Sequence, residues 1–322
     1  MKIDVLMYHG FTDKEKHPGI ENHHGKHLFI QKFEDQIVFL KNNYNVISVK
    51  ELKEFFAEGR KFEKPSVLIT FDDGYRSNFR LAFPVLQRHQ VPAVVFVTTD
   101  FIDKKMPLWF DRIEYALERS TRKVLEFDFD GKAHQFDLRS LYDRIQTEHK
   151  IKDMIKSTSG QKDQILLQIE KALGESLDIN HCPDIFAPLS WDEIRMMKTS
   201  GLLTIGSHTC SHAILTRCPQ EDIKKELVES RKRIEEEIQA PCVDFSYPNG
   251  EKDDFSNTTH YLLSKCGYRL AFVSIVGSND QLSNRYELKR LNIHNAGDLH
   301  GFKRTLSGFF RSLRLVKKWK LY

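Results

Sequence analysis

The chain has 322 residues, enough for one large α/β domain or two small ones. Its 49 Lys and Arg against 45 Asp and Glu leave a formal charge of +4, too slight a basic excess to point to nucleic acid as a partner. No apolar run approaches the roughly 20 residues of a membrane-spanning helix.

In chain order, short β-branched runs alternate with segments of helical period, the pattern of a mostly parallel sheet with helical crossovers. The opening "MKIDVLMYHG" reads as a first strand, Ile3–Tyr8, because its apolar run is too short for a secretory leader. Further strands are predicted at 46–48, 67–71, 93–98, 202–206, 242–247, 270–274 and 288–293. Helices are predicted at 31–42, 50–58, 78–89, 191–200, 221–238 and 255–266. The rhythm breaks between Phe101 and Leu189, where "LWFDRIEYALER" and "QILLQIEKAL" flank a hairpin around "EFDFDGKAHQFDL". That stretch reads as a mainly helical insertion, 101–189, capping a single domain that occupies the whole chain. Cys182, Cys210, Cys218, Cys242 and Cys266 form no CxxC pair, and an odd count fits reduced thiols.

Chemistry gathers at the predicted strand ends. "TFDDG" places Asp72 and Asp73 side by side where a buried strand meets a turn. Asp-Asp-Gly alone is a common turn sequence, but two like charges there call for a cation or a division of labour. "SHTCSH" follows another strand and sets His208 and His212 four residues apart, able to face one point. Two histidines and a carboxylate form a catalytic rather than structural metal set, since positions stay open for water and substrate. "FSYPNG", "VLMYHG" with His9, and "KRLNIHN" with Arg290 and His294 add three more polar clusters at strand ends. In a parallel barrel such ends converge on one face. One aspartate can then bind the metal while its neighbour serves as general base.

"TFDDG", "SHTCSH" and "FSYPNG" together, in this order, resemble the polysaccharide deacetylase family, carbohydrate esterase family 4; the resemblance spans 67–250 and extends to "VLMYHG". It implies a distorted (β/α) barrel of about seven parallel strands and removal of acetyl groups from acetylated sugars. By resemblance, Asp72 is the general base, while Asp73, His208 and His212 hold one divalent metal, zinc first and cobalt or nickel next. The backbone N–H near Tyr247 is the oxyanion donor. Two departures stand out. Phe245 and Ser246 occupy the region where many members carry an arginine, leaving Arg290 to supply that charge. The Asp–Trp element of the fourth motif is missing, so the general acid is either His9, which matches an N-terminal histidine of a subset of the family, or His294.

The expected reaction is hydrolysis of the acetamide of an N-acetylhexosamine in a glycan or a lipid-linked precursor. A catalytically inactive glycan-binding protein on the same fold is the alternative. A phosphorylation-dependent switch would also pair acidic residues with a metal, but such domains are far smaller and need no histidine pair. The end of the chain, 301–322, carries seven Lys and Arg with no Asp or Glu. Phe302, Leu306, Phe309, Leu313, Val316 and Trp319 recur there at helical spacing, which predicts a basic amphipathic helix over 300–322. The expectation is a cytoplasmic enzyme in peripheral contact with anionic membrane.

Overall fold

Strand faces in a parallel sheet are covered on both sides, and these sequences meet that requirement. The computed structural model describes residues 2–158, 160–294 and 298–307. Its central sheet contains β1 (Ile3–Tyr8), β2 (Asn45–Val46), β3 (Ser66–Phe71), β4 (Ala93–Val97), β5 (Leu203–Ser207), β6 (Asp244–Ser246), β7 (Leu270–Phe272) and β8 (Leu291–Asn292). All pairings are parallel, in the order β7-β6-β5-β4-β3-β1-β8. The short β2 pairs with the start of β3, whose end turns to β4. All six residues of β3 and all five of β4 are buried.

The closing segment explains the barrel. Leu288 bridges to Phe272 on β7, and three residues later Leu291 pairs with Leu6 on β1. One segment therefore touches both edges of the sheet, which curls into a distorted barrel of seven parallel strands. The predicted strand 288–293 is shortened to two residues for the same reason. Lys289 is held at both backbone groups by the Asn279 side chain, and Arg290 N–H donates to the Ile275 carbonyl while the chain crosses over.

Helices cover the outside, and their starts are written locally. Helix α1 spans Ile30–Asn43. Helix α2 (Val49–Glu58) begins at a capping box in which Ser48 and Glu51 satisfy each other's backbone N–H groups. The predicted helix 78–89 is a π-helical turn over Asn78–Ala82 followed by α3, Phe83–His89. Between β4 and β5 lie α4 (Trp109–Arg119), an antiparallel hairpin (Val124–Phe129 with Lys132–Asp137), α5 (Leu141–Ser157) and α6 (Lys162–Leu173). These elements bury a separate apolar cluster that includes Ile113, Leu117, Phe127, Ile151, Ile165 and Ile169. Then come α7 (Trp191–Thr199), α8 (Gln220–Ile238) and α9 (Asn257–Lys265). Last is α10 (Leu299–Leu306), whose Phe302 and Leu306 are buried, Phe302 with its ring 6.2 Å from Phe39 on α1. Phe309, Leu313, Val316 and Trp319 lie outside the described residues. No described helix is long and apolar enough to cross a membrane.

Candidate active site

Strand register assembles the site. β1 and β3 pair from Ile3↔Ser66 to Tyr8↔Phe71, so His9 and Asp72 emerge together at the rim, where Asp72 N–H donates to the Tyr8 carbonyl at 2.9 Å. β4 and β5 pair through Val97↔Ser207, and His208 N–H donates to the Val97 carbonyl at 2.9 Å. Ser207 in turn pairs with Phe245, which brings Ser246 to the same rim. Here Asp72, Asp73, His208, His212, Tyr247, His9 and His294 line one cavity of about 580 Å³.

The local backbone is strained to achieve this. Asp73, Thr209 and His212 have φ of 75°, 68° and 56°, a conformation that costs a non-glycine residue energy and that functional sites often retain. Gly74 has φ +94° and lies so close to Ile102 that a Cβ there would approach to 2.9 Å, which explains the third letter of Asp-Asp-Gly. At Gly10 a Cβ would come within 1.9 Å of the buried His27 ring, so the glycine after His9 is a packing requirement. Asn78, in the π-helical turn, donates to the His9 carbonyl at 2.6 Å and fixes the rim loop from below.

The two aspartates have different surroundings. Asp73 Oδ1 lies 3.4 Å from Nε2 of both His208 and His212, and neither Asp73 oxygen has a hydrogen-bond partner. A tetrahedron with metal bonds of about 2.0–2.1 Å has edges of roughly 3.4 Å, the distance from Asp73 Oδ1 to each imidazole, and the three donors lie within 4.8 Å of one another. His208 Nδ1 is fixed on the Ser246 carbonyl at 2.8 Å, which turns Nε2 inward. Burial alone would raise the Asp73 carboxyl, but the two imidazoles hold it well below the usual range. Without a cation, its two bare buried oxygens are costly.

Asp72 instead meets Arg290. The guanidinium donates from Nη1 to Oδ1 at 2.8 Å and from Nη2 to Oδ2 at 2.7 Å, a bidentate pair in which Arg290 is fully buried. Arg290 also donates to the Val273 carbonyl at 3.0 Å and to Ser246 Oγ at 2.9 Å, and Ser246 Oγ reaches Asp72 Oδ2 at 3.1 Å. Burial pushes the Asp72 carboxyl up, but Arg290, followed by His208, brings it below its ordinary value. The carboxylate is thus ionised, oriented and still able to accept a proton on a remaining lone pair.

The remaining predicted residues separate. His9 is half-buried; burial lowers its pKa, opposed by the charges of Asp73 and Asp72. His294 is exposed on the same cavity. The expectation for Tyr247 needs correction. Its backbone N–H already donates to the Phe272 carbonyl at 3.0 Å, because the residue continues the register of β6 with β7. It cannot serve an oxyanion without breaking the sheet. Among the described residues, the N–H of Asn249 has no hydrogen-bond partner; Asn249 lines the cavity with φ 61°. Sequence reasoning also missed Ser246 as a contributor, since it treated that position only as a missing arginine.

This rim, on a barrel of parallel strands, is the arrangement that the sequence motifs imply for a deacetylase fold. The sequence matches the profile named "Polysaccharide deacetylase" over residues 59–271, and the chain belongs to that family. Among curated relatives, the poly-beta-1,6-N-acetyl-D-glucosamine N-deacetylase of Staphylococcus epidermidis is 31% identical over 113 residues, 34% of this chain and 38% of that one. The Escherichia coli protein of the same name is 34% identical over 70 residues, 21% of this chain and 10% of that one. The matches thus span less than half the length of these relatives. Among solved structures, the Streptococcus pyogenes deacetylase PplD in complex with acetate superposes with a TM-score of 0.63 at 16% identity, over 95% of this chain and 98% of that one. IcaB from Ammonifex degensii gives 0.55 at 18% identity, over 91% of each chain. At these identities the superpositions speak for the fold.

Proposed function

We propose that the protein is a metal-dependent deacetylase that hydrolyses the acetamide of an N-acetylhexosamine in a glycan or glycan precursor. The observation that carries this reading is the split carboxylate pair: Asp73 faces two histidines with both oxygens unpartnered, while Asp72 is clamped by Arg290. Asp73, His208 and His212 would hold one divalent metal, which we assign as zinc, with cobalt and nickel fitting the same donors. When bound, it would polarise the acetyl carbonyl and lower the pKa of the attacking water.

The chain's own residues supply the rest. Asp72 removes a proton from that water, its orientation fixed by the guanidinium fork. The Asn249 N–H, on the cavity wall, would donate to the developing oxyanion, where one such donor contributes about 10²–10³-fold in rate. His9 protonates the departing amine, a poor leaving group until it gains that proton. His9 leaves the strand level with Asp72 and is half-buried in the cavity, whereas His294 is exposed, and this position favours His9; burial lowers its pKa, and the charges of Asp73 and Asp72 oppose that. Relatives named as acting on poly-β-1,6-N-acetyl-D-glucosamine support an acetylated aminosugar as substrate. We further assign the basic segment 301–322 to contact with anionic membrane at the cytoplasmic face, close to lipid-linked precursors. The test is acetate release by metal-loaded protein from N-acetylhexosamines presented free, nucleotide-linked, lipid-linked and as β-1,6 oligomers. No acetate from any of them, with the metal bound, would leave a glycan-binding protein.

A further inference from the structure

A second group of donors lies across the wall of the same cavity. His23 and His24 sit in the loop between Thr12 and His27, and Glu148 and His149 on α5, more than a hundred residues away. Their candidate ligand atoms all fall within 4.8 Å of one another. Glu148 is fully buried, and its Oε2 lies 3.0 Å from His23 Nε2 and 3.1 Å from His24 Nε2. The His149 ring stacks 4.9 Å from His24 and makes no hydrogen bond among the described residues.

The internal geometry repeats that of the active site. His23 Nδ1 is fixed on the Ile20 carbonyl at 2.9 Å, which turns Nε2 onto a shared buried carboxylate oxygen, as the Ser246 carbonyl does for His208. Three imidazoles crowded around one carboxylate repel each other if protonated. As neutral rings they present lone pairs beside a carboxylate, which a shared cation would stabilise. Lys152 pairs with the other Glu148 oxygen and supplies only one charge from one side.

We propose that His23, His24, Glu148 and His149 form a second metal site, for zinc, that clamps the 13–26 loop to the cap. Three imidazoles and a carboxylate are a zinc donor set, and a complete set of four protein ligands is structural rather than catalytic. His24 and Lys152 also line the active-site cavity, so the clamp sets the shape of its cap-side wall. The loop is already tied to α4 through Glu114 and Glu118, which accept from the N–H groups of Asn22 and Ile20 at 2.8 and 2.7 Å. The histidines are thereby held in place before metal arrives. This site stands independently of the one at Asp73.

The experiment counts zinc by elemental analysis after the full chain is stripped with chelator, reloaded with zinc and dialysed. Wild type is expected to hold two zinc ions, Asp73→Ala one, His24→Ala/His149→Ala one, and the triple variant none. In Asp73→Ala, zinc should raise the melting temperature, and in the triple variant it should not. One zinc in wild type with none in Asp73→Ala would overturn the proposal, as would two in the His24→Ala/His149→Ala variant. Both substituted histidines are exposed, and circular dichroism confirms folding before the count. A zinc count that holds at two with no acetate released would sink the deacetylase reading alone.

Discussion

Replacing Arg290 with Met removes the guanidinium while leaving the bulk of the side chain in a fully buried position. Two charge-assisted bonds to Asp72 disappear, along with one each to Ser246, Thr70 and the Val273 carbonyl. Breaking a buried pair on one side costs about 3–5 kcal/mol, since the orphaned charge is stranded. Protonation sets a ceiling on this. Neutralising a carboxyl of ordinary pKa 3.8 at pH 7 costs roughly 3 units at about 1.4 kcal/mol each, or about 4 kcal/mol. In wild type the Asp72 pKa is depressed, so the pair's stabilisation is present above 3.8 and is lost as pH falls through the lower folded value. In Arg290→Met the pKa is raised instead, so the neutral acid favours folding at low pH and that contribution disappears as pH rises. The penalty should therefore be greatest near pH 7–8 and shrink toward pH 4. Thermal unfolding with metal chelated reads it as a drop on the order of 10 °C at pH 7. The acid limb of kcat/KM should move up by about one pH unit or more, because the base now holds its proton longer. Asp72→Asn/Arg290→Met should be more stable than the sum of the single changes by about 2 kcal/mol. A melting temperature within two or three degrees of wild type, about the shift for 1 kcal/mol, together with an unmoved acid limb, would refute this account of Arg290.

Asp73→Ala and His212→Ala should each bind one metal ion fewer than wild type and release no acetate; full metal content in either would misplace the centre. Asp72→Asn should keep its metal and lose about 10²–10⁴-fold in turnover, the range for a removed general base, so near-wild-type rates would exchange the roles within the pair. His9→Ala should slow acetate release far more than His294→Ala, with the reverse ranking moving the acid to His294. For the membrane assignment, sedimentation with anionic liposomes compares the full chain with one ending at Ser307, which keeps the buried Phe302 and Leu306 in place. Equal and negligible binding by both would remove the membrane contact.

The sequence made the sheet and the rim legible because both depend on short-range signals. The longer strands, such as Ser66–Phe71 and Ala93–Val97, are rich in β-branched residues, and Asp72, Asp73 and His208 follow strands directly with His212 four residues on, so a parallel order was enough to bring them together. Other features depended on pairings across the fold. The π-helical turn at Asn78–Ala82 keeps an ordinary helical sequence, and only the bond from Asn78 to the His9 carbonyl shows what the widened turn does. The Tyr247 N–H looked free because its partner, Phe272, lies on a strand whose register no local pattern fixes. His9 and His294 could not be ranked because β1 and β8 pair as Leu6↔Leu291 and Met7↔Asn292, which carries both histidines to the same level at the rim. Burial separates them, and burial is a property of the whole fold. The His23, His24, Glu148 and His149 cluster joins a loop to the cap and left no spacing to notice.

Arg290 shows how a required charge can change its place in the sequence while keeping its place in space. The position expected to carry it, near Ser246, is occupied by a hydroxyl that bonds both Asp72 and the guanidinium. The guanidinium arrives from the segment that closes the barrel, between the bridge of Leu288 to Phe272 and the pairing of Leu291 with Leu6. Closing the barrel and clamping Asp72 are therefore one event. A chain whose last strand has not docked leaves Asp72 without the counter-charge that offsets its burial, and burial beside Asp73 then pushes its carboxyl toward the protonated form. The Asp72–Arg290 pair is complete only when the closing segment bridges both edges of the sheet. That dependence gives a physical reason for placing the orienting charge so late in the chain.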